Sequence, residues 1–308
     1  VRPSTKKKVM DIIEKYDYTP NAFARGMGLH SLQTIGILCA DSSDLFLAKA
    51  VYYLEQELRR HNYDSILCCT GQDSETKKKY LDLLISKRVD GIILAGSQFV
   101  LNQPGSDNRY ILNAAKEVPI VLANGFLPGK NIYSVMCNDT AAVYDATSRL
   151  IAAGRRQIVY LYTSTSYSGM NKLKGYKNAL SDAGIPLREE WTHLCTKNIQ
   201  RAKDYLNTLY DKGISFDAVV TSDDSLAVGA VKYAYEHRIA IPEQLQIIGY
   251  NNSVLANCTE PELTSIDSKV EQLSVKAVNI LMQVLSGHDV PAENIIAADI
   301  IKRNTTNF

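Results

Sequence analysis

At 308 residues and 45% hydrophobic content, the chain is long enough for two core domains of about 150 residues or less plus a short appendage. No apolar run approaches the ~18 residues needed to cross a bilayer as a helix, and the basic N-terminus lacks the apolar stretch of a secretory leader; a cytoplasmic location without membrane contact is expected. The net charge is only +1, but it is unevenly spread: +3 through Thr34 and −2 over the remainder, as expected if the N-terminal end meets phosphate.

Residues Val1 to Tyr18 read as one short, basic, amphipathic helix. Ser4 is an N-cap candidate, and Val9, Ile12, Ile13 and Tyr16 recur at helical spacing behind the polar run Thr5 to Lys8. Such a helix is too short to fold alone, and charge by itself fits a solvated face as well as a phosphate contact. Next comes TPNAFARGMGLHSLQ. Pro20 breaks the chain from the first helix, Asn21 can cap a turn starting at Ala22, and Gly26 and Gly28 each cost a helix about 1 kcal/mol. The segment reads as a hinge that folds only against a partner, or as a plain flexible linker.

From Thr34 the chain alternates strand and helix. Strands are expected at TIGILC, YDSILCC, DGIILAG, PIVLA and YSVMC, with helical patterns such as Leu47 to Arg60 and Glu75 to Lys87 between them. A second series runs through QIVYLY, WTHLC, DAVVTS, QIIGY and LTSID. Short apolar strands separated by helices imply parallel sheets covered on both faces. Two series imply an α/β fold of two doubly wound lobes with a ligand cleft at the carboxyl ends of the strands. Residues just past those ends are the site candidates: Asp41, Ser43, Asp44, Phe46, Gly96, Ser97 and Asn124 in the first series, and Thr163, Ser164, Asp223, Asp224, Asn251 and Asn252 in the second. About half of these are expected merely to cap helices and turns.

Catalytic signatures are missing. There is no phosphate-binding P-loop, nucleophile elbow, H-E-x-x-H or G-x-G-x-x-G, and the five histidines, His30, His61, His193, His237 and His288, lack metal-ligand spacing. Neither an enzyme nor a cofactor or metal is expected. The six cysteines form no C-x-x-C pair and read as reduced core residues, with adjacent Cys68 and Cys69 on opposite faces of a strand.

The pattern PSTKKKVMDIIEKYDYTPNAFARGM followed by TIGIL closely resembles the lactose-repressor (LacI/GalR) family of bacterial transcription regulators, and the resemblance continues over the whole chain. It implies a periplasmic-binding-protein-like core preceded by the last helix of a helix-turn-helix headpiece, whose first two helices are expected ahead of Val1, and by a hinge helix at Asn21 to Leu29. In that family, hinge helices of a homodimer enter the minor groove of operator DNA and wedge an apolar side chain into a base step. Met27 falls on the wedge position, Ala24 lies one turn earlier, Arg25 is available to phosphate or groove edges, and Asn21 opens the hinge. The implied division is a headpiece remnant at 1–20, a hinge at 21–33, a first lobe of 34–155 plus 268–290, and a second of 156–267 plus 291–308. Crossings between lobes are expected near Gly154 to Arg156, Ile266 to Lys269 and Val290 to Glu293. Dimer contacts are expected on Leu45 to Leu58 and Leu226 to Tyr235, where Ala50, Val51, Leu54, Val228 and Val231 are as readily core as interface.

The resemblance also implies an effector set of Asp44, Phe46, Asn124, Lys172, Lys197, Asp223 and Asn251. Sugar-responsive relatives place an arginine three residues before the glycine of K/R-x-x-G-Y, and MNKLKGYKNAL puts Lys172 there, without arginine's bidentate fork. Asn124 and Asn251 stand where the family has aspartate, and Lys197 where relatives often have a stacking aromatic. A neutral sugar or polyol is one reading of the effector; a less acidic cleft would instead suit a phosphorylated or acidic one, such as a sugar phosphate. A lysine at the clamp position also resembles the catabolite-control branch, which answers to a phosphorylated carrier protein. An exported sugar-binding protein of a transporter would share the two-lobe core, but its N-terminus would carry a leader and not a basic helix and hinge.

Overall fold

The computed structural model describes residues 2–16, 31–100 and 107–308. Helix α1 (Pro3–Lys15) starts ahead of the expected cap: Arg2 occupies the N-cap in an extended conformation and Pro3 the first helical position, so Ser4 lies inside the first turn. Proline is suited to that position because its φ is preset and its missing N–H would have no helical partner. No residue of α1 is buried, and Val9, Met10, Ile12 and Tyr16 are exposed. The hinge expected at 21–33 falls mainly outside the described residues, as do Asn21, Ala24, Arg25 and Met27.

The core holds two six-stranded sheets of matching design. The first contains β1 (Thr34–Cys39), β2 (Asp64–Cys69), β3 (Gly91–Ala95), β4 (Ile120–Ala123), β5 (Ile132–Cys137) and β11 (Glu293–Ile296), in the order β11-β5-β4-β3-β1-β2. The second contains β6 (Ile158–Tyr162), β7 (Thr192–Leu194), β8 (Ala218–Thr221), β9 (Gln246–Tyr250), β10 (Thr264–Asp267) and β12 (Asp299–Ile301), in the order β12-β10-β9-β8-β6-β7. The strands pair in parallel except β12, which runs antiparallel to β10. The interior strands TIGILC, GIILA, IVLA and QIIGY are buried almost throughout because helices cover both faces.

Helices α2 (Leu45–Arg60), α3 (Ser74–Ser86) and α4 (Arg109–Ala114) follow β1, β2 and β3 in sequence. Helix α5 (Asp139–Ala152) follows β5 but packs on the other sheet: Ala142, Val143, Ala146 and Leu150 join Ile158, Tyr160, Val220 and Ile248 in one buried cluster. The first passage between lobes therefore lies at Asn138 and not at Gly154 to Arg156, because a helix belongs with the sheet that covers its apolar stripe, whichever strand it follows. After β10 the chain returns, and α9 (Val270–Leu285) buries Leu273, Ala277, Val278 and Leu281 against Ile35, Ile93 and Val121 of the first lobe. Each such large aliphatic side chain is worth ~1.5–3 kcal/mol of burial. Strand β11 pairs in parallel with β5, so residues 293–296 belong to the first sheet and the last passage falls at Ala297 and Ala298, later than the expected Val290 to Glu293. The second lobe is completed by α6 (Tyr167–Asp182), α7 (Ile199–Asp211) and α8 (Asp224–Glu236). Of the apolar residues in doubt, Ala50, Leu54, Val228 and Val231 are buried within the chain itself.

Candidate ligand-binding cleft

The strand orders 2-1-3-4-5 and 7-6-8-9-10 each reverse direction beside their first strand, and a crevice opens at such a switch point outside the carboxyl ends. The two crevices face each other across a cavity of about 470 Å³. The first lobe supplies Asp41, Asp44 and Phe46 after β1, Gln72 after β2, Ser97 and Gln98 after β3, and Asn124 after β4. The second supplies Thr163, Ser164 and Ser166 after β6, Ser168 and Lys172 from α6, Lys197 after β7, Ser222 and Asp223 after β8, and Asn251 after β9.

Two helix caps organise the polar groups. Asp44 caps α2, its Oδ1 accepting from the backbone N–H of Phe46 at 2.9 Å and of Leu47 at 3.0 Å. Asp223 caps α8, its Oδ1 accepting from the Ser225 N–H at 3.0 Å and the Ser225 hydroxyl at 2.6 Å. These bonds satisfy helix N–H groups that have no partner within the helix. The second oxygen of each carboxylate receives the Lys197 ammonium, at 2.7 Å from Asp44 and 2.6 Å from Asp223. Burial pulls the Lys197 pKa down, but Asp223 and Asp44 together outweigh it and leave the group above its ordinary value. Asn251 donates to the same Asp223 oxygen at 3.0 Å from a backbone with φ of 93°, and Asn124 has φ of 76°; asparagine is among the few non-glycine residues that tolerate this left-handed region.

Lys172 lies beneath the cleft floor, nearly fully buried. Its ammonium donates to the Ser222 carbonyl at 3.2 Å and sits 3.5 Å from the centroid of the Tyr250 ring. Burial lowers its pKa, opposed by the Asp139 and Asp223 charges. The Tyr250 hydroxyl donates to Asp139, whose carboxyl burial raises and Lys172 pulls back down. Asp139 opens α5, directly after the first passage between the lobes, so the cleft floor is wired to that passage through one aromatic ring. Across the cleft, the Ser97 and Ser166 hydroxyls meet at 2.8 Å and the Phe126 and Tyr167 rings at 5.9 Å.

All seven residues of the expected effector set, Asp44, Phe46, Asn124, Lys172, Lys197, Asp223 and Asn251, are brought to this one cavity. Ser43, Asp224 and Asn252 are not among its lining residues. Ser43 turns to Asp41; Asp224 accepts from the Ser253 N–H and the Ser265 hydroxyl, each at 2.6 Å; and Asn252 accepts from Arg303. Sequence reasoning missed Gln72, Gln98, Ser166, Ser168 and Ser222. Gln72 and Ser222 stand just past strand ends and could have been found by the same rule, whereas Ser168 lies in the first turn of α6, beyond the loop that follows β6. The lining carries three carboxylates, Asp41, Asp44 and Asp223, and two lysines, Lys172 and Lys197. Among the described residues, no cluster of His, Cys, Asp or Glu could hold a metal ion, and no helix is long and apolar enough to cross a membrane.

Two similar α/β lobes closing on a polar cleft define a two-lobed small-molecule-binding protein. The model for "Periplasmic binding proteins and sugar binding domain of LacI family" matches residues 32–304. The chain is 53% identical over its whole length to an HTH-type transcriptional regulator of Lachnoclostridium phytofermentans, covering 92% of that protein. It is 28% identical to catabolite control protein A of Priestia megaterium, over 94% of this chain and 86% of that one. The crystal structure of the transcription regulator CcpA of Lactococcus lactis superposes with a TM-score of 0.77 at 25% identity, over 89% of this chain and 99% of that chain. The chain belongs to the LacI family, and it is a transcriptional regulator rather than an enzyme.

Proposed function

We propose that the protein binds operator DNA as a dimer and that occupancy of the inter-lobe cleft by a neutral sugar or related polyol sets its DNA affinity. The observation that carries the effector reading is the lining itself: hydroxyls, amides and helix-capping carboxylates converge from both lobes on one cavity, with nearly balanced charge. Hydroxyl-rich ligands are held by such groups, and a ligand touching both lobes favours one lobe arrangement by its differential affinity. A coupling of ~1–3 kcal/mol would suffice for a useful change in operator affinity.

The test is a thermal-shift screen against neutral sugars, sugar phosphates, organic acids and purines. Ligand at 100 times its Kd stabilises by about 2.7 kcal/mol through mass action. The largest shift from a neutral sugar, abolished in Asn251→Ala, supports the reading; a response confined to sugar phosphates or organic acids overturns it. A second reading, control by a phosphorylated carrier protein, is favoured by the likeness to catabolite control protein A and by the lysine at the clamp position. Silence across the small-molecule panel together with binding of such a carrier would select it.

A further inference from the structure

We propose that the space between Asp44 and Asp223 is an ammonium subsite, filled by Lys197 itself, so that this lysine is a tethered occupant which an effector must displace. Asp44 belongs to the first lobe and Asp223 to the second, and one ammonium lies 2.7 and 2.6 Å from them. Both carboxylates are held in place without the lysine, because each is fixed by two bonds to the start of its own helix. The subsite is therefore preformed on either side and is joined only by what lies between.

Lys197 is delivered by the short loop between β7 and the Asn198 cap of α7, within the second lobe. Its stem spans the cleft to reach Asp44, 153 residues away in sequence. A primary ammonium has three donors. Two are spent here on carboxylates, which matches a group of this class better than a hydroxyl, which has one. As a tethered group, the lysine competes at an effective concentration in the millimolar range, so free amines below that level cannot replace it. Any effector whose hydroxyls or amine are read by Asp44 and Asp223 must first move Lys197 aside, and its apparent affinity is reduced accordingly.

The inference rests on the cleft being the ligand site, yet its test needs no effector. Hydrogen exchange of the cleft loops 41–47, 163–168 and 222–227 is followed by mass spectrometry in the parent and in Lys197→Ala. Ethylammonium chloride is the probe and tetramethylammonium chloride, equal in charge but without N–H donors, the control at constant ionic strength. In Lys197→Ala the loops should exchange at least tenfold faster, and ethylammonium should restore protection saturably in the millimolar range while tetramethylammonium does not. The parent should need at least tenfold more ethylammonium for any effect. Asp44→Asn, made alone, should open the same loops with Lys197 intact, and adding Lys197→Ala to it should open them no further. Unchanged exchange in Lys197→Ala, or equal action of the two cations, overturns the subsite. If ethylammonium acts as expected while no sugar binds, the subsite stands and the sugar reading falls; if a sugar binds the parent and Lys197→Ala equally and ethylammonium is inert, the reverse holds.

Discussion

Gly175, the glycine of the KLKGY stretch, sits on α6 where the backbone of α5 comes closest. A Cβ built there would lie 2.3 Å from the Thr140 carbonyl oxygen and 3.0 Å from the Tyr144 nitrogen. The first contact is about 1 Å or more too short for non-bonded atoms, and both obstacles are backbone, so no side chain can swing away. Gly175→Ala would gain about 1 kcal/mol in helix propensity and lose about 2–3 kcal/mol to forced separation of the helices, the upper part of the overpacking range because the obstacles are backbone. The second effect wins, because relief requires moving two helices that also share the Thr140 hydroxyl bond to the Asn171 carbonyl at 3.1 Å. The net loss is ~1–2 kcal/mol, a fall in thermal midpoint of roughly 1.5–3 °C for a chain of this length. Circular-dichroism melting against the parent measures it, and the ligand found by the thermal-shift screen should bind more weakly because Lys172 rides on the displaced turn. A midpoint equal to or above the parent's would refute the close-approach argument.

Burial raises the Asp224 pKa from 3.8 to about 6. Its stabilising contribution is therefore complete below about pH 4 and lost as pH rises through about 6, on the order of 3 kcal/mol in all; Asp224→Asn should flatten the urea-unfolding stability profile across that window, and an unchanged slope would sink the assignment. In Lys172→Met, Asp139 loses the positive charge that holds its carboxyl down, so its pKa should climb further. The variant should be less stable by ~3 kcal/mol at neutral pH and recover part of that in acid, whereas a deficit independent of pH would show that Lys172 and Asp139 are uncoupled. Of the six thiols, exposed Cys69 and Cys258 should react rapidly with Ellman's reagent in the native protein and the other four only on unfolding; more than two fast thiols would contradict the burial of the core cysteines.

The order of most strands and helices, the two-lobed α/β class and the neighbourhood of the cleft are legible in the amino-acid sequence alone. These are local or rule-bound properties: apolar runs of strand length lie between helical periodicities, and parallel strands put their sites at their carboxyl ends. Asp44, Asn124, Asp223 and Asn251 were all reachable from strand ends alone. Strand β11 was not, because ENII lies at a sheet edge with Glu293 and Ile295 exposed, and a half-covered strand lacks the continuous apolar run of an interior one. That α5 packs on the second sheet, that Lys172 is buried over Tyr250, and that Lys197 spans the cleft between two helix caps emerges from the assembled fold alone. Each depends on which surfaces meet after the chain has passed from lobe to lobe, and contacts between segments more than 100 residues apart, such as Lys197 with Asp44 or Tyr250 with Asp139, leave no periodic trace in sequence.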